Sequence, residues 1–323
     1  MMIWTTMLVF TTILGVLISS SAVVAKQTIN YKYVNGQPLQ IDVFDYSGAG
    51  GKGVHTPAPA IIYIHGGGWE LFSKNDVPDY VNSTAQAGNL VLVSVQYRLT
   101  AEAHKWGGVD AITWPAQGED CLDAVQYVHE HATALGIDRD RMACWGGSAG
   151  GHLCAYTALK GSDSSSSSNT TTLRAAAVYY PPTNILELYN DIDPKVGIDR
   201  PVLKADSFES LLLGSAKSEI SLGDIIQNRN SSQSPWPSML HLAQSVDPEM
   251  YISARSPQML IAHGTRDHTV PFKQGLRLAT ALSNANRTNI FLTADGCDHA
   301  ALPRSCWQKT IGDTANWLYK VLK

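Results

Sequence analysis

Strands and helices alternate through most of this 323-residue chain, which predicts an α/β fold: a mostly parallel sheet of about eight strands flanked by helices. Three observations carry the prediction. Short, almost wholly apolar runs such as 60–64 and 90–95 recur, and strands of that kind belong in a sheet covered on both faces. Segments with apolar residues at helical spacing lie between them. Gly or Pro marks most of the change-overs. At 44% hydrophobic and 16% charged residues the chain can bury a full core, and a net charge of −4 gives no basic footprint for nucleic acid.

In chain order, residues 1–25 hold no charged side chain. An apolar run over 7–18 leads into small residues ending at Ala25, the form of a secretion signal cleaved after Ala25. The run is shorter than the ~20 residues of a membrane span, although no Lys or Arg precedes it, so a retained signal anchor is the alternative. The folded domain is then expected over 26–323, with no stable membrane association. Sequons at Asn82, Asn169, Asn230 and Asn286 agree with a secreted glycoprotein. Of the five cysteines, Cys297 and Cys306 lie close together in a loop-like stretch and are the expected disulfide. Cys121, Cys144 and Cys154 fall on core faces as small hydrophobes.

Strands are expected at 29–33 and 39–44, joined at Asn35-Gly36, a hairpin turn signal. A strand at 60–64, a helix at 77–87 and a strand at 90–95 follow. A long helix spans 114–135, with Gly136 as its stop. A short strand at 141–145 and a helix at 149–159 flank Gly146-x-Ser148-x-Gly150. A Ser-rich loop at 161–172 precedes a strand at 175–180. From 183 to 254 the periodicity is lost apart from helical fragments at 208–213 and 239–244. This stretch reads as an insertion after strand six, lying over the sheet edge and forming part of the substrate pocket. A strand at 258–262, a helix at 272–285, a strand at 290–294 and a helix with the stripe Ile311, Ala315, Leu318 and Leu322 close the chain.

A serine between two such glycines, after a strand and before a helix, is a nucleophile elbow, whose tight turn leaves no room for side chains at the glycine positions. A serine that attacks an ester needs a base, an acid to orient the base, and donors for the oxyanion. Asp267 follows one late strand and His299 the next, giving the order Ser148, Asp267, His299. Asp295 and Asp298 flank His299, but a neighbour in sequence rarely points at its imidazole from the required side; Asp193 and Asp199 come too early, and His152, His263 and His268 read as supporting or packing residues. His65-Gly66-Gly67-Gly68-Trp69 follows a strand, and its glycines free the N–H groups of Gly67 and Gly68 to join that of Ala149 as the oxyanion hole. Trp69, Tyr179 and Tyr180 are candidate walls of the acyl or alcohol site. No metal-ligand spacing occurs, and the chemistry needs no cofactor.

These motifs, with Val95-Gln96-Tyr97-Arg98-Leu99 and Trp114-Pro115-Ala116-Gln117-Gly118-Glu119-Asp120, resemble the α/β-hydrolase superfamily, specifically its hormone-sensitive-lipase-like carboxylesterases. The likeness runs from about 39 to 322, apart from the insertion. Gly147 stands where that branch has an acidic residue, so the elbow is more similar to the bifunctional feruloyl and acetylxylan esterases. The resemblance implies a secreted serine esterase acting on short-chain or aryl esters, with feruloyl or acetyl esters of plant polysaccharide as substrates. Two alternatives stay open: an amide hydrolase of the arylformamidase or prolyl-peptidase kind, and a non-enzymatic cell-surface binding module.

Overall fold

The computed structural model describes residues 26–48, 56–106, 111–162, 173–301 and 303–323. Residues 1–25, expected above as a secretion leader, the Asn169 sequon and most of the Ser-rich loop lie outside the described residues. β1 (Lys26–Val34) and β2 (Gln37–Asp45) form an antiparallel hairpin. Its turn residues Asn35 (φ 48) and Gly36 (φ 77) are both left-handed, as a primed two-residue turn requires. After β3 (Ala58–Ile64), α1 (Asp79–Ala87) leads into β4 (Val91–Val95). α2 (Ala116–Glu130), β5 (Ile137–Gly147), α3 (Ala149–Gly161) and β6 (Ala175–Tyr179) follow. The insertion carries α4 (Phe208–Leu212), α5 (Ser215–Ser218), α6 (Leu222–Gln227) and α7 (Trp236–Val246). β7 (Gln258–Gly264), α8 (Phe272–Asn284), β8 (Asn289–Ala294) and α9 (Arg304–Val321) complete the chain.

The eight strands form one sheet in the order β1-β2-β4-β3-β5-β6-β7-β8, parallel from β4 through β8 and antiparallel at β1 and β2. The apolar runs face both ways. Ile62 and Ile64 of β3 pack in a core with residues of α2, α3 and α8, whereas Ile61 and Tyr63 pack with α1 and α9. Burial on both faces is why these strands show no polar alternation. Among the described residues no helix is long and apolar enough to cross a membrane.

Several local expectations change. The helix expected over 114–135 is shorter. Pro115, which has no N–H, stands at its N-cap, and His131 leaves helical geometry (φ −100, ψ 11) at the other end. Gly136 (φ 68) still turns the chain, and its carbonyl accepts from Ala58 N at 2.8 Å. Pro78 likewise delays α1 to Asp79. The buried stripe of α9 is Trp307, Thr310, Thr314, Leu318 and Val321. Two threonines fit there because Thr314 Oγ1 donates to Thr310 O (2.9 Å) and accepts from the Tyr179 hydroxyl (2.6 Å). The insertion lies over the α3 face rather than the sheet edge, because β6 and β7, which it joins, are interior strands. Cys297 and Cys306 are bridged, with Cα atoms 5.8 Å apart. Cys144 and Cys154 are bridged as well, against expectation. The reversal at Ser148 sets β5 beside the start of α3 and brings these Cα atoms to 5.8 Å, leaving Cys121 as the free, buried thiol.

Candidate active site

Ser148 sits between β5 and α3 at φ 57, ψ −129, a conformation that L residues adopt only when neighbouring structure holds it. The flanking glycines provide that room. A Cβ on Gly146 would lie 2.2 Å from Gly150 O, and one on Gly150 would lie 2.2 Å from Ile64 O. Gly147 is constrained from outside the turn, since a Cβ there would meet the Tyr180 hydroxyl at 2.8 Å.

Ser148 Oγ stands 3.0 Å from His299 Nε2, and His299 Nδ1 lies 2.7 Å from Asp267 Oδ2. The carboxylate accepts the Nδ1 proton, so Nε2 presents a lone pair to the serine hydroxyl. Asp267 follows β7 and is held from behind: its Oδ1 accepts from Thr269 N and Val270 N, both at 2.8 Å. His263 Nε2 donates to Val270 O (2.9 Å) and lies 3.3 Å from Asp267 Oδ2. Burial pushes the Asp267 carboxyl upward. Hydrogen bonds from His263 and His299 outweigh it and hold the group well below the ordinary carboxylate range. Asp298 turns away from the imidazole, its Oδ1 accepting from the backbone of His268 and His299. His268 pairs with it through Nδ1 (3.0 Å).

On the other side of Ser148, Gly67 (φ 97) and Gly68 (φ 61) line the cavity. A Cβ on Gly67 would meet Leu71 O at 2.4 Å, and one on Gly68 would meet the Phe208 ring at 2.6 Å. Ala149 is the first residue of α3, so its N–H has no intrahelical acceptor. His65 supports the strip from beneath. It stacks on Tyr97 (4.3 Å between centroids) and donates from Nδ1 to Gly66 O at 2.9 Å. Burial lowers the His65 imidazole to about 4, so it remains neutral at physiological pH.

The cavity over Ser148 measures about 600 Å³ and is walled by Tyr63, Leu71, Phe72, Tyr80, Tyr180 and Phe208, with Asp76 and Asp79 at its rim. A crevice of about 30 Å³ lies beside Ser148 and Ala149, bounded by Trp69, Pro182 and Val270. Tyr180 is thus a cavity wall, its ring 4.5 Å from that of His299. Trp69, buried, bounds the crevice beside Ser148 instead. Tyr179 is not a wall: it points into the core, where its hydroxyl meets Thr314. Phe208 is the point at which the insertion reaches the cavity. Tyr63, Tyr80, Phe72 and Phe208 escaped the sequence reading. Tyr63 and Tyr80 carried one usable signal, a polar tip within an otherwise buried face. Burial pushes the Tyr80 phenol up to about 12, against a lowering bond with Tyr180, so the group stays neutral.

A serine, an imidazole and a carboxylate in this order, on the loops of an eight-stranded, mostly parallel sheet, define an α/β-hydrolase. More narrowly, the chain belongs to the BD-FAE family, whose model matches residues 51–282. It is 34% identical to carboxylesterase NlhH of Mycobacterium tuberculosis over 110 residues, 34% of this chain and 32% of NlhH. The aligned stretch therefore spans about a third of that relative. Esterase LipC of the same species is 24% identical over 244 residues, 75% of this chain and 53% of LipC. Among solved structures, a bacterial heroin esterase superposes with a TM-score of 0.69 at 21% identity, covering 93% of this chain and 85% of that one. A truncated carbohydrate esterase from gut microbiota gives 0.68 at 19%, covering 92% and 96%. At those identities the structural likeness establishes the shared fold.

Proposed function

We propose that the chain is a serine carboxylesterase that cleaves short-chain or aryl esters through an acyl-enzyme. The observation that carries this reading is the hydrogen-bonded series Asp267–His299–Ser148, opening on the cavity beside the glycine strip. His299 Nε2 takes the hydroxyl proton as Ser148 attacks the carbonyl carbon. The N–H groups of Gly67, Gly68 and Ala149 hold the oxyanion, and His299 then protonates the leaving alcohol. Water, deprotonated by the same imidazole, attacks the acyl-enzyme and releases the acid, returning the proton to Ser148. Asp267 fixes the tautomer and stabilises the imidazolium.

The unequal spaces around Ser148 support a division of the ester. The crevice of about 30 Å³ accepts little more than a methyl group, and the larger part of the substrate lies in the cavity of about 600 Å³. That suits acetyl esters of bulky alcohols and esters of aryl acids, including the feruloyl and acetyl esters of plant polysaccharide. Carboxylates of Asp76 and Asp79 at the rim disfavour anionic substrates. The leader over 1–25 supports secretion. Asn230 and Asn286 are exposed and suited to glycosylation, whereas Asn82 lies half-buried in α1 with its side chain bonded to Tyr46 and Val77.

The test compares wild type and Ser148→Ala on p-nitrophenyl acetate, methyl ferulate, acetylated xylan and formanilide. Hydrolysis of the esters by wild type alone is the expected result. Faster cleavage of formanilide than of any ester transfers the reading to an amide hydrolase. Failure of Ser148 to react with a fluorophosphonate overturns the enzyme reading altogether.

A further inference from the structure

The polypeptide is left-handed at three successive residues, Gly67 (φ 97), Gly68 (φ 61) and Trp69 (φ 61). Two of these are the oxyanion donors of the esterase reading, on which the inference rests. A run of this kind persists only where surrounding structure over-determines it. Glycine carries no side chain with which to anchor itself, so the first anchor available is Trp69.

Trp69 is buried, and its indole Nε1–H donates to His152 Nδ1 at 3.2 Å, the rings meeting edge to face at 87°. His152 lies one helical turn beyond the nucleophile, and its backbone N–H donates to Ser148 O at 2.9 Å. Its other ring nitrogen, Nε2, donates to Val246 O at 2.7 Å, at the end of α7. That bond places the proton on Nε2 and leaves Nδ1 a lone pair for the indole. The ring is fully buried and also packs against Trp114, whose Nε1 donates to Ser245 Oγ at 3.0 Å. One imidazole thus ties the glycine strip, the nucleophile helix and the insertion together. The acyl transfer from Ser148 itself makes no use of this imidazole.

We propose that His152 is a positioning residue: by accepting the Trp69 indole proton it holds the N–H groups of Gly67 and Gly68 in register with Ser148, and its bond to Val246 O makes the insertion the backstop of that register. Burial keeps the imidazole neutral, lowering it to about 4, so the acceptor persists across the working range of an esterase. The arrangement acts on the oxyanion rather than on substrate binding. Its loss therefore lowers kcat and leaves KM nearly unchanged.

The experiment uses His152→Phe, Trp69→Phe, their double variant and His152→Asn, with p-nitrophenyl acetate kinetics, melting curves and the Trp69 indole N–H resonance, assigned by its loss in Trp69→Phe. His152→Phe and Trp69→Phe are each expected to lower kcat roughly 10- to 100-fold, below the 10²–10³ for deletion of an oxyanion donor, with KM within about twofold. The double variant should be no worse than either single one, because both remove the same bond. Asn presents an acceptor near the Nδ1 position but cannot reach Val246, so His152→Asn should retain the indole shift and recover only part of kcat, the shortfall measuring the backstop. Folded His152→Phe with kcat within about twofold of wild type, additive losses in the double variant, or an indole resonance unmoved by His152→Phe overturns the proposal. A wild type inactive on every ester overturns the esterase reading instead, and the indole resonance still decides whether the bond exists.

Discussion

Asp267→Asn changes one atom type, and the structure dictates how the amide must sit. Thr269 N–H and Val270 N–H both donate to Oδ1 at 2.8 Å, so an amide nitrogen cannot occupy that position. The asparagine oxygen must take it, which turns the NH2 group toward His299 Nδ1, now 2.7 Å from Oδ2. To accept that proton His299 has to carry its own on Nε2, facing Ser148 Oγ at 3.0 Å with a donor where a base is needed. A wrong tautomer of this kind lowers kcat about 10⁴-fold, or roughly 5.5 kcal/mol of activation free energy. Asp267→Ala leaves His299 free to keep its proton on Nδ1 and should lose less. Steady-state hydrolysis of p-nitrophenyl acetate by the two variants, each shown folded by its melting curve, tests the ranking. An asparagine variant within tenfold of wild type, or faster than the alanine variant, refutes the argument.

Three further outcomes are expected. Gly150→Ala should cost at least about 3 kcal/mol in urea unfolding because its Cβ meets backbone oxygen at 2.2 Å, whereas Gly36→Ala, with nothing within 4 Å, should cost only the left-handed strain of about 1–2 kcal/mol. His65 and His152, both lowered to about 4 by burial, bind fewer protons folded than unfolded. Stability should therefore fall on acidification from about pH 6.5 toward 4, by roughly 3 kcal/mol per imidazole, and a melting temperature that stays flat over that window contradicts the assignment. Peptide mapping of protein secreted from a eukaryotic host should find glycan on Asn230 and Asn286 and none on Asn82, whose amide is already bonded to Val77 O.

Much of this molecule is legible from local rules. Ser148, Asp267 and His299 each sit at a short offset from an apolar strand, so finding the strands finds the site. The glycines of the elbow and of the strip at 66–68 could be read for the same reason, since each answers to a nearby steric limit. Direction was harder. Tyr179 and Tyr180 are neighbours, yet the last residue of β6 turns into the core and the next, at φ 38, turns onto the cavity. Nothing in composition separates the two. Phe72 and Phe208 come from distant segments and converge on the cavity only in the fold, one beside Gly67 and the other beside Gly68. The pairing of Cys144 with Cys154 likewise depends on the chain reversal between them, and the short helices of the insertion lack the length to set up a period.

The contact between Gly147 and Tyr180 gives the residue ahead of the nucleophile a meaning beyond a marker of descent. The Tyr180 hydroxyl occupies the volume that a side chain at 147 would need, and Tyr180 is itself fixed by a 2.6 Å bond from its N–H to Ala262 O. A side chain can enter at 147 only if the hydroxyl end of the Tyr180 ring moves aside or is replaced by something smaller. Occupancy at 147 and the placement of the ring at 180 are therefore sterically coupled, and a carboxylate ahead of Ser148 would reshape a wall of the cavity as it entered.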